Sequence, residues 1–265
     1  MMTNSLVNPE LYTLSIQVSL DGFSFYINDA TTKNNTYHHE YTFENAHTVE
    51  QTLIEIQKIF ETTALLQNSF KNVIVVYVNE LFTLVPKSHF TQKNITDYLK
   101  FNTKILKTDF IVYDELESLD LINVYVPYTN INNFFFDHFG TFTYYHSQSI
   151  LIKNKLEQAT NSIVPEVFVQ VNKKSIDVLA YQNRKLLLSN HFQCETEEDF
   201  TYYILFCYEQ LSFDPQEVTL KLCGTIDLND SRYKMIYEYI RTVTIENNPE
   251  EEQLNNSFLQ YNLSL

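Results

Sequence analysis

The chain has 265 residues, 44% of them hydrophobic, which is enough to bury one large core or two ordinary ones. Its net charge of −15 repels phosphate backbones and disfavours anionic membranes, so nucleic-acid binding is set aside and solubility is the plain meaning of the charge. Three cysteines, Cys194, Cys207 and Cys223, form no C-x-x-C pair, which argues against a disulfide framework or a zinc site and fits reduced thiols in a cytoplasm.

The first residues carry no basic n-region and no apolar h-region, so no signal peptide is expected. No apolar run approaches the roughly 20 residues of a membrane span. Residues 11–20 and 23–29 read as two strands joined by a tight Asp21-Gly22 turn, and residues 36–43 as a third strand. Thr48 caps a helix, with Gln51 completing a capping box; Val49, Leu53, Ile56 and Phe60 follow at helical spacing to about residue 67. Val73 to Val78 is continuously apolar, the pattern of a central strand in a parallel segment. Leu81 to Pro86, a helix from Thr91 to about Asn102, and strands at 108–114 and 120–127 come next. A short helix near 130–138 and a strand near 141–147 follow, and 148–161 is left undecided, with a strand ending in helix as one reading.

The second half repeats the first. Strands at 166–172, 175–181 and 184–192 make a meander, and Gln170 stands where Gln17 stood (170 − 17 = 153). Thr196 caps a helix to about Leu211, with Glu197, Glu198 and Asp199 in its first turn, where the helix dipole favours anions. Val218 to Leu222 is the next strand, ending at Gly224; Asp230 caps another helix, Thr242 to Ile245 is a last strand, and Pro249 opens a final helix. Three antiparallel strands, a helix, a parallel strand, a helix and a further strand make a ribonuclease-H-like unit. Two in tandem are the actin-like plan. The expected class is therefore α/β, two tandem ribonuclease-H-like lobes in an actin-like ATPase fold. The lobes are residues 1–160 and 161–265, meeting without a long linker.

Composition carries one warning. Gly totals 3, Trp 0, Tyr 19 and Phe 20, and the only arginines are Arg184, Arg232 and Arg241. Scarce GC-rich codons point to an AT-rich genome, so the aromatic rings are read as core and half-buried strand positions and not as a base-stacking surface.

Three stretches carry a family likeness. The Ser24-Phe25 step after Asp21-Gly22, Thr83-Leu84-Val85-Pro86 with Phe90 just after, and Asp97-Tyr98-Leu99-Lys100-Phe101-Asn102 resemble domain-of-unknown-function family 3822. That is a set of bacterial proteins sharing the actin-like ATPase fold. The resemblance covers the whole chain. It implies that fold and a cytoplasmic bacterial origin, and it implies no reaction.

A working actin-like protein needs a D-x-G-[S/T]-type turn in each lobe, whose amides cradle phosphate and whose Asp holds hydrated metal. It also needs a Gly-Gly loop that lets the chain approach the adenosine. In the first lobe the Asp position falls at Gln17 and the Gly near Ser19; in the second they fall at Gln170 and Asn172. Gln is neutral and replaces no metal-organising carboxylate, and side chains at Ser19 and Asn172 obstruct phosphate. Gly224 stands alone where the adenosine loop begins, and a strand-to-loop bend explains it as well. These five are weak, degenerate cleft positions. No catalytic residue, metal or cofactor is expected, with ATP kept as the ligand of the competing reading.

Other candidates fall short of a site. His38 and His39 sit on one strand and face opposite ways. His138 and His146 have no zinc spacing. Asp114, Glu115, Glu117 and Asp120 read as a solvated acidic loop, and Glu250-Glu251-Glu252 as a first helical turn. No G-x-S-x-G, P-loop or H-E-x-x-H motif is present. The leading expectation is a cytoplasmic, catalytically silent actin-like protein that binds or scaffolds a protein partner. The competitor is a divergent ATPase or sugar-type kinase using Asp21, Asp177 and Gly224. An RNA-associated factor is disfavoured by charge.

Overall fold

The computed structural model describes residues 11–29, 35–44, 48–101, 103–106, 109–158 and 163–246. The expected final helix at Pro249, with Glu250-Glu251-Glu252, lies outside them. Packing divides the chain into two compact units, and the division falls between Ile150 and Leu151.

In the first unit, β1 (Tyr12–Val18), β2 (Gly22–Asp29) and β3 (Asn35–Thr42) form an antiparallel meander. After α1 (Val49–Thr62), β4 (Asn72–Tyr77) runs parallel to β1. Strand β8 (Thr143–His146), which follows α3 (Thr129–Phe139), runs parallel to β4. The order is β3-β2-β1-β4-β8. Alternation assigns the faces. Leu14, Ile16 and Val18 of β1 and Phe23, Phe25 and Ile27 of β2 bury against Ile56 and Phe60 of α1 and Phe135 of α3. Continuously apolar β4 sits centrally between two parallel neighbours, as its composition led us to expect.

Between β4 and β8 the chain builds a separate antiparallel sheet, β5-β7-β6, from β5 (Phe82–Pro86), β6 (Val112–Leu116) and β7 (Leu121–Tyr125). Its small core is Val85, Ile122, Val124 and Val126 under Leu99 of α2 (Ile95–Lys100). Asp114 lies inside β6 and is only 8% exposed, whereas Glu115, Glu117 and Asp120 are exposed, so the solvated acidic face expected of 114–120 holds at those three and fails at Asp114. The alternation of β6 turns Asp114 inward.

Helix α4 (Ser147–Gln158) follows β8 directly, which settles 148–161 as helix as far as it is described. The second unit holds β9 (Glu166–Val171), β10 (Ser175–Gln182) and β11 (Lys185–Gln193), then α5 (Glu197–Gln210), β12 (Thr219–Gly224), α6 (Ser231–Tyr237) and β13 (Val243–Ile245). Its strand order, β11-β10-β9-β12-β13, has the same pattern of antiparallel and parallel neighbours as the first sheet. Val167, Val169 and Val171 of β9 pack with Ile176 and Val178 of β10 beneath Phe200 and Ile204 of α5. Gln17 pairs in register with Ser24, and Gln170 with Asp177, so the repeat read from sequence is a repeat of register.

Candidate functional site

The five positions expected for a nucleotide site, Gln17 and Ser19 in the first unit and Gln170, Asn172 and Gly224 in the second, sit at the carboxyl ends of parallel strands of their own sheets, where open α/β sheets hold ligands. In the first unit β1 stops at Val18 and the chain reverses through Leu20 and Asp21. The Ser19 amide donates to the Gly22 carbonyl at 3.0 Å. The Ser19 hydroxyl donates to Asp21 Oδ1 at 2.6 Å and lies 3.2 Å from the Gly22 carbonyl. Asp21 O in turn accepts the Phe43 amide at 2.8 Å. The Ser19 hydroxyl and the Asp21 carboxylate are thus engaged within the turn itself. A Cβ on Gly22 would stand 3.0 Å from the Tyr41 carbonyl, so β3 crowds that glycine. Asp21-Gly22 is a hairpin turn. Gln17 lies one pleat earlier, with its Oε1 buried and without a hydrogen-bond partner.

The second unit repeats the turn. The Asn172 amide donates to the Ser175 carbonyl at 2.9 Å. The Asn172 side chain bends back, its Nδ2 donating to Asp177 Oδ2 at 2.9 Å, with Ser175 Oγ at 3.3 Å. Asp177 is fully buried, and its Oδ1 lies 2.6 Å from His191 Nδ1 on the adjacent strand. Gln193 Nε2 is 3.3 Å from His191 Nε2, which fits an imidazole whose proton sits on Nδ1 and is donated to Asp177. A buried carboxylate held by an amide and an imidazole is satisfied by neighbours of its own chain.

Gly224 ends β12 at φ +95°, a left-handed conformation that side chains resist. A Cβ there would fall on the Val171 carbonyl oxygen and on Gln170 Nε2. The backbone that approaches Gly224 closely belongs to its own sheet. Gln170 itself is fully buried, and neither its Oε1 nor its Nε2 has a hydrogen-bond partner.

Beside this turn the second unit opens a cavity of about 710 Å³. Asn172 and Lys173 of the β9–β10 turn, Glu195, Glu197 and Glu198 leading into α5, and Arg232 of α6 line it. Arg232 is not free to meet an anion. Its guanidinium donates to Asp230 through Nε (3.0 Å) and through a terminal nitrogen (2.7 Å), and that nitrogen also donates to the Thr225 carbonyl (2.6 Å). Those bonds hold the Asp230 carboxyl below its usual range. Lys173 is left facing three glutamates, a lining that repels polyphosphate.

The histidines single out no metal. His38 stacks on Tyr26 and His39 on Phe25, on opposite faces of β3. His138 lies 3.1 Å from the Leu66 carbonyl and edge-on to Phe60. Among the described residues no group of three or more His, Cys, Asp or Glu is placed to hold a metal ion. Also among them, no helix is long and apolar enough to cross a membrane. Sequence reasoning missed the buried Asp177–His191 pair. Its only signal was the cross-strand register, which depends on the length of the 182–185 turn.

Residues 2–243 match the family model described as "Protein of unknown function (DUF3822)". No curated protein matches the chain in sequence. Among solved structures, a Bacteroides thetaiotaomicron protein with actin-like ATPase fold and unknown function is similar at a TM-score of 0.86 and 22% identity, over 98% of this chain and 100% of that one. A PilM–PilN type IV pilus biogenesis complex gives 0.52 at 9% identity, over 93% and 94%. The cytoplasmic domain of EpsL, an inner membrane component of the type II secretion system of Vibrio cholerae, gives 0.50 at 8% identity, over 96% and 95%. At these identities the likeness shows the fold, which is actin-like.

Proposed function

The chain belongs to the DUF3822 family of proteins of unknown function, and from that premise we propose that it is a non-catalytic actin-like module that binds or scaffolds a protein partner, its nucleotide site degenerate. The observation that supports the reading is the filling of the glycine cradle. The space that a Cβ on Gly224 would take is occupied by the Gln170 amide and the Val171 carbonyl, so packing within its own sheet accounts for this glycine with no adenosine beside it. Ser19 and Asn172 turn their side chains into their own hairpins for the same net effect at the phosphate positions. The ligands left to a divergent ATPase are already engaged, Asp21 by Ser19 and Asp177 by Asn172 and His191.

The working unit is then a pair of lobes, 1–160 and 161–265, of one duplicated plan, acting in a bacterial cytoplasm. The partner is a protein, by analogy with the PilM–PilN complex and the EpsL component, which share the fold. The test is calorimetric titration of the unmodified chain with Mg-ATP, with a thermal-shift series beside it. A bound ligand stabilises in proportion to the logarithm of its excess over Kd. No heat and no shift at millimolar Mg-ATP is the expected result; submillimolar binding would overturn the silent reading and leave the ATPase.

A further inference from the structure

The outer side of α2 and of the segment after it has a charge opposite to that of the chain as a whole. Residues 87–107 hold five lysines against a single acid, Asp97, in a chain whose net charge is −15. Helical spacing sorts the side chains. Ile95 and Leu99 turn inward onto the core of the three-stranded sheet. Lys93, Asp97, Lys100, Phe101 and Lys104 fall on the opposite side and are all exposed. The helical path carries on past Lys100, since the Thr103 amide donates to the Leu99 carbonyl at 2.9 Å.

Three apolar side chains stand out among these lysines. Phe101 is 90% exposed, Leu106 61% and Phe110 52%. Their neighbours Ile105 and Ile111 pack onto the small core, so the segment does have an inward side that these three do not use. Leu106 is tied to the residue before Phe110: its amide donates to the Asp109 carboxylate at 2.6 Å, and its carbonyl accepts the Asp109 amide at 3.2 Å. Single exposed apolar residues are ordinary; three within ten residues, interleaved with lysine, form a patch. Lys100 pairs with Asp97 in the open, a bond of little worth in water, and among the described residues no ion pair holds Lys93 or Lys104. The acidic Glu115, Glu117 and Asp120 lie toward the other end of β6 from Phe110.

We propose that this face docks on an anionic lipid surface, with Phe101, Leu106 and Phe110 entering the headgroup layer and Lys93, Lys100 and Lys104 meeting its phosphates. Charge selects an anionic occupant. Net charge does not decide the matter, because salt at about 0.1 M screens the acidic remainder of the chain beyond about 10 Å. Protrusion selects lipid among the anions. A ring as exposed as Phe101 touches almost nothing of its own chain, and a fluid bilayer takes in such a ring where a protein partner needs a fitted pocket. Leu106 offers a nucleic-acid base nothing to stack on, whereas acyl chains accept Leu and Phe alike.

The chain contains no Trp, so a single introduced one reports its own surroundings. Phe101→Trp is expected to shift its emission to the blue with vesicles of phosphatidylcholine carrying about 30% phosphatidylglycerol, and not with phosphatidylcholine alone. Tyr202→Trp, at a site 62% exposed on α5, is expected to stay unshifted with both. Co-sedimentation of the unmodified chain with the anionic vesicles is expected to weaken about 25-fold or more in Lys93→Glu/Lys104→Glu, about tenfold in Phe101→Ser, and to vanish near about 1 M salt. All four substituted side chains are exposed, so none of these changes touches the core. No co-sedimentation with the anionic vesicles, equal binding to the neutral ones, an unshifted Phe101→Trp, or binding that survives Lys93→Glu/Lys104→Glu would overturn the proposal. So would tighter capture of the same face by polyuridylate or polyglutamate, which would assign it to RNA or to an acidic protein.

Discussion

Gln170 has no hydrogen-bond partner for either end of its amide, although no part of the side chain reaches solvent. A buried polar group left unpaired costs about 1–3 kcal/mol. Its position between Asp177 on β10 and Cys223 on β12 gives it the volume of a core residue and the chemistry of a surface one. Replacement by Leu keeps most of the volume and removes both orphans. Gln170→Leu is expected to leave stability unchanged or raise it by about 1–2 kcal/mol in urea unfolding. A loss of stability in Gln170→Leu would mean that the amide has a partner in solution. The position was legible from sequence because the strand repeat fixes its register. Its lack of partners was not, because that depends on how Gly224 presses against it. Asp114 shows the opposite failure. A run of Asp and Glu reads as solvent-facing by composition, and only the pleat of β6 reveals that its first member, Asp114, faces inward.

Helix ends were the most legible elements. Thr48 accepts the Gln51 amide at 3.4 Å while Gln51 Oε1 accepts the Thr48 amide at 3.1 Å; Thr196 and Asp199 make the same reciprocal pair at 3.0 and 3.1 Å. These are short-range bonds between residues three apart, so local spacing suffices to find them. Thr196→Ala is expected to cost about 1 kcal/mol in urea unfolding, with Thr196→Ser close to neutral. Helix lengths were less legible. Helix α1 stops at Thr62 and gives way to a 3-10 turn, Ala64–Gln67, where apolar periodicity continued unbroken to residue 67. Thr62 and Thr63 are β-branched, and the Thr62 hydroxyl donates back to the Lys58 carbonyl at 2.9 Å, which favours an end there. Helix α2 is likewise only Ile95–Lys100, preceded by a 3-10 turn at Gln92–Asn94.

At the scale of the molecule, each unit encloses a core of its own, with Phe60 central to one and Ile204 to the other. Truncating the buried Ile204 side chain leaves a void that the packed sheet closes only in part. Ile204→Ala is expected to cost about 2–5 kcal/mol, read from the exchange of β9, β10 and β12 amides. Two matching halves were visible in the sequence because a hairpin, a helix and an apolar strand recur in order. The three-stranded sheet was not recognised as a separate sheet, because strand pairing is a long-range fact that no local pattern carries.

That inserted sheet also sets the order in which the chain can be assembled. Strand β4 ends at Tyr77, and β8, which closes its far side, begins only at Thr143 (143 − 77 = 66 residues later). In the second unit β13 follows β12 after a much shorter excursion (243 − 224 = 19). During synthesis the apolar edge of β4 therefore waits while the whole insertion is made, and non-local closure of this kind is slow. An unpaired, alternation-free strand is a template for neighbouring chains. The amino-terminal half is the part of this protein that most needs protection while it is being born.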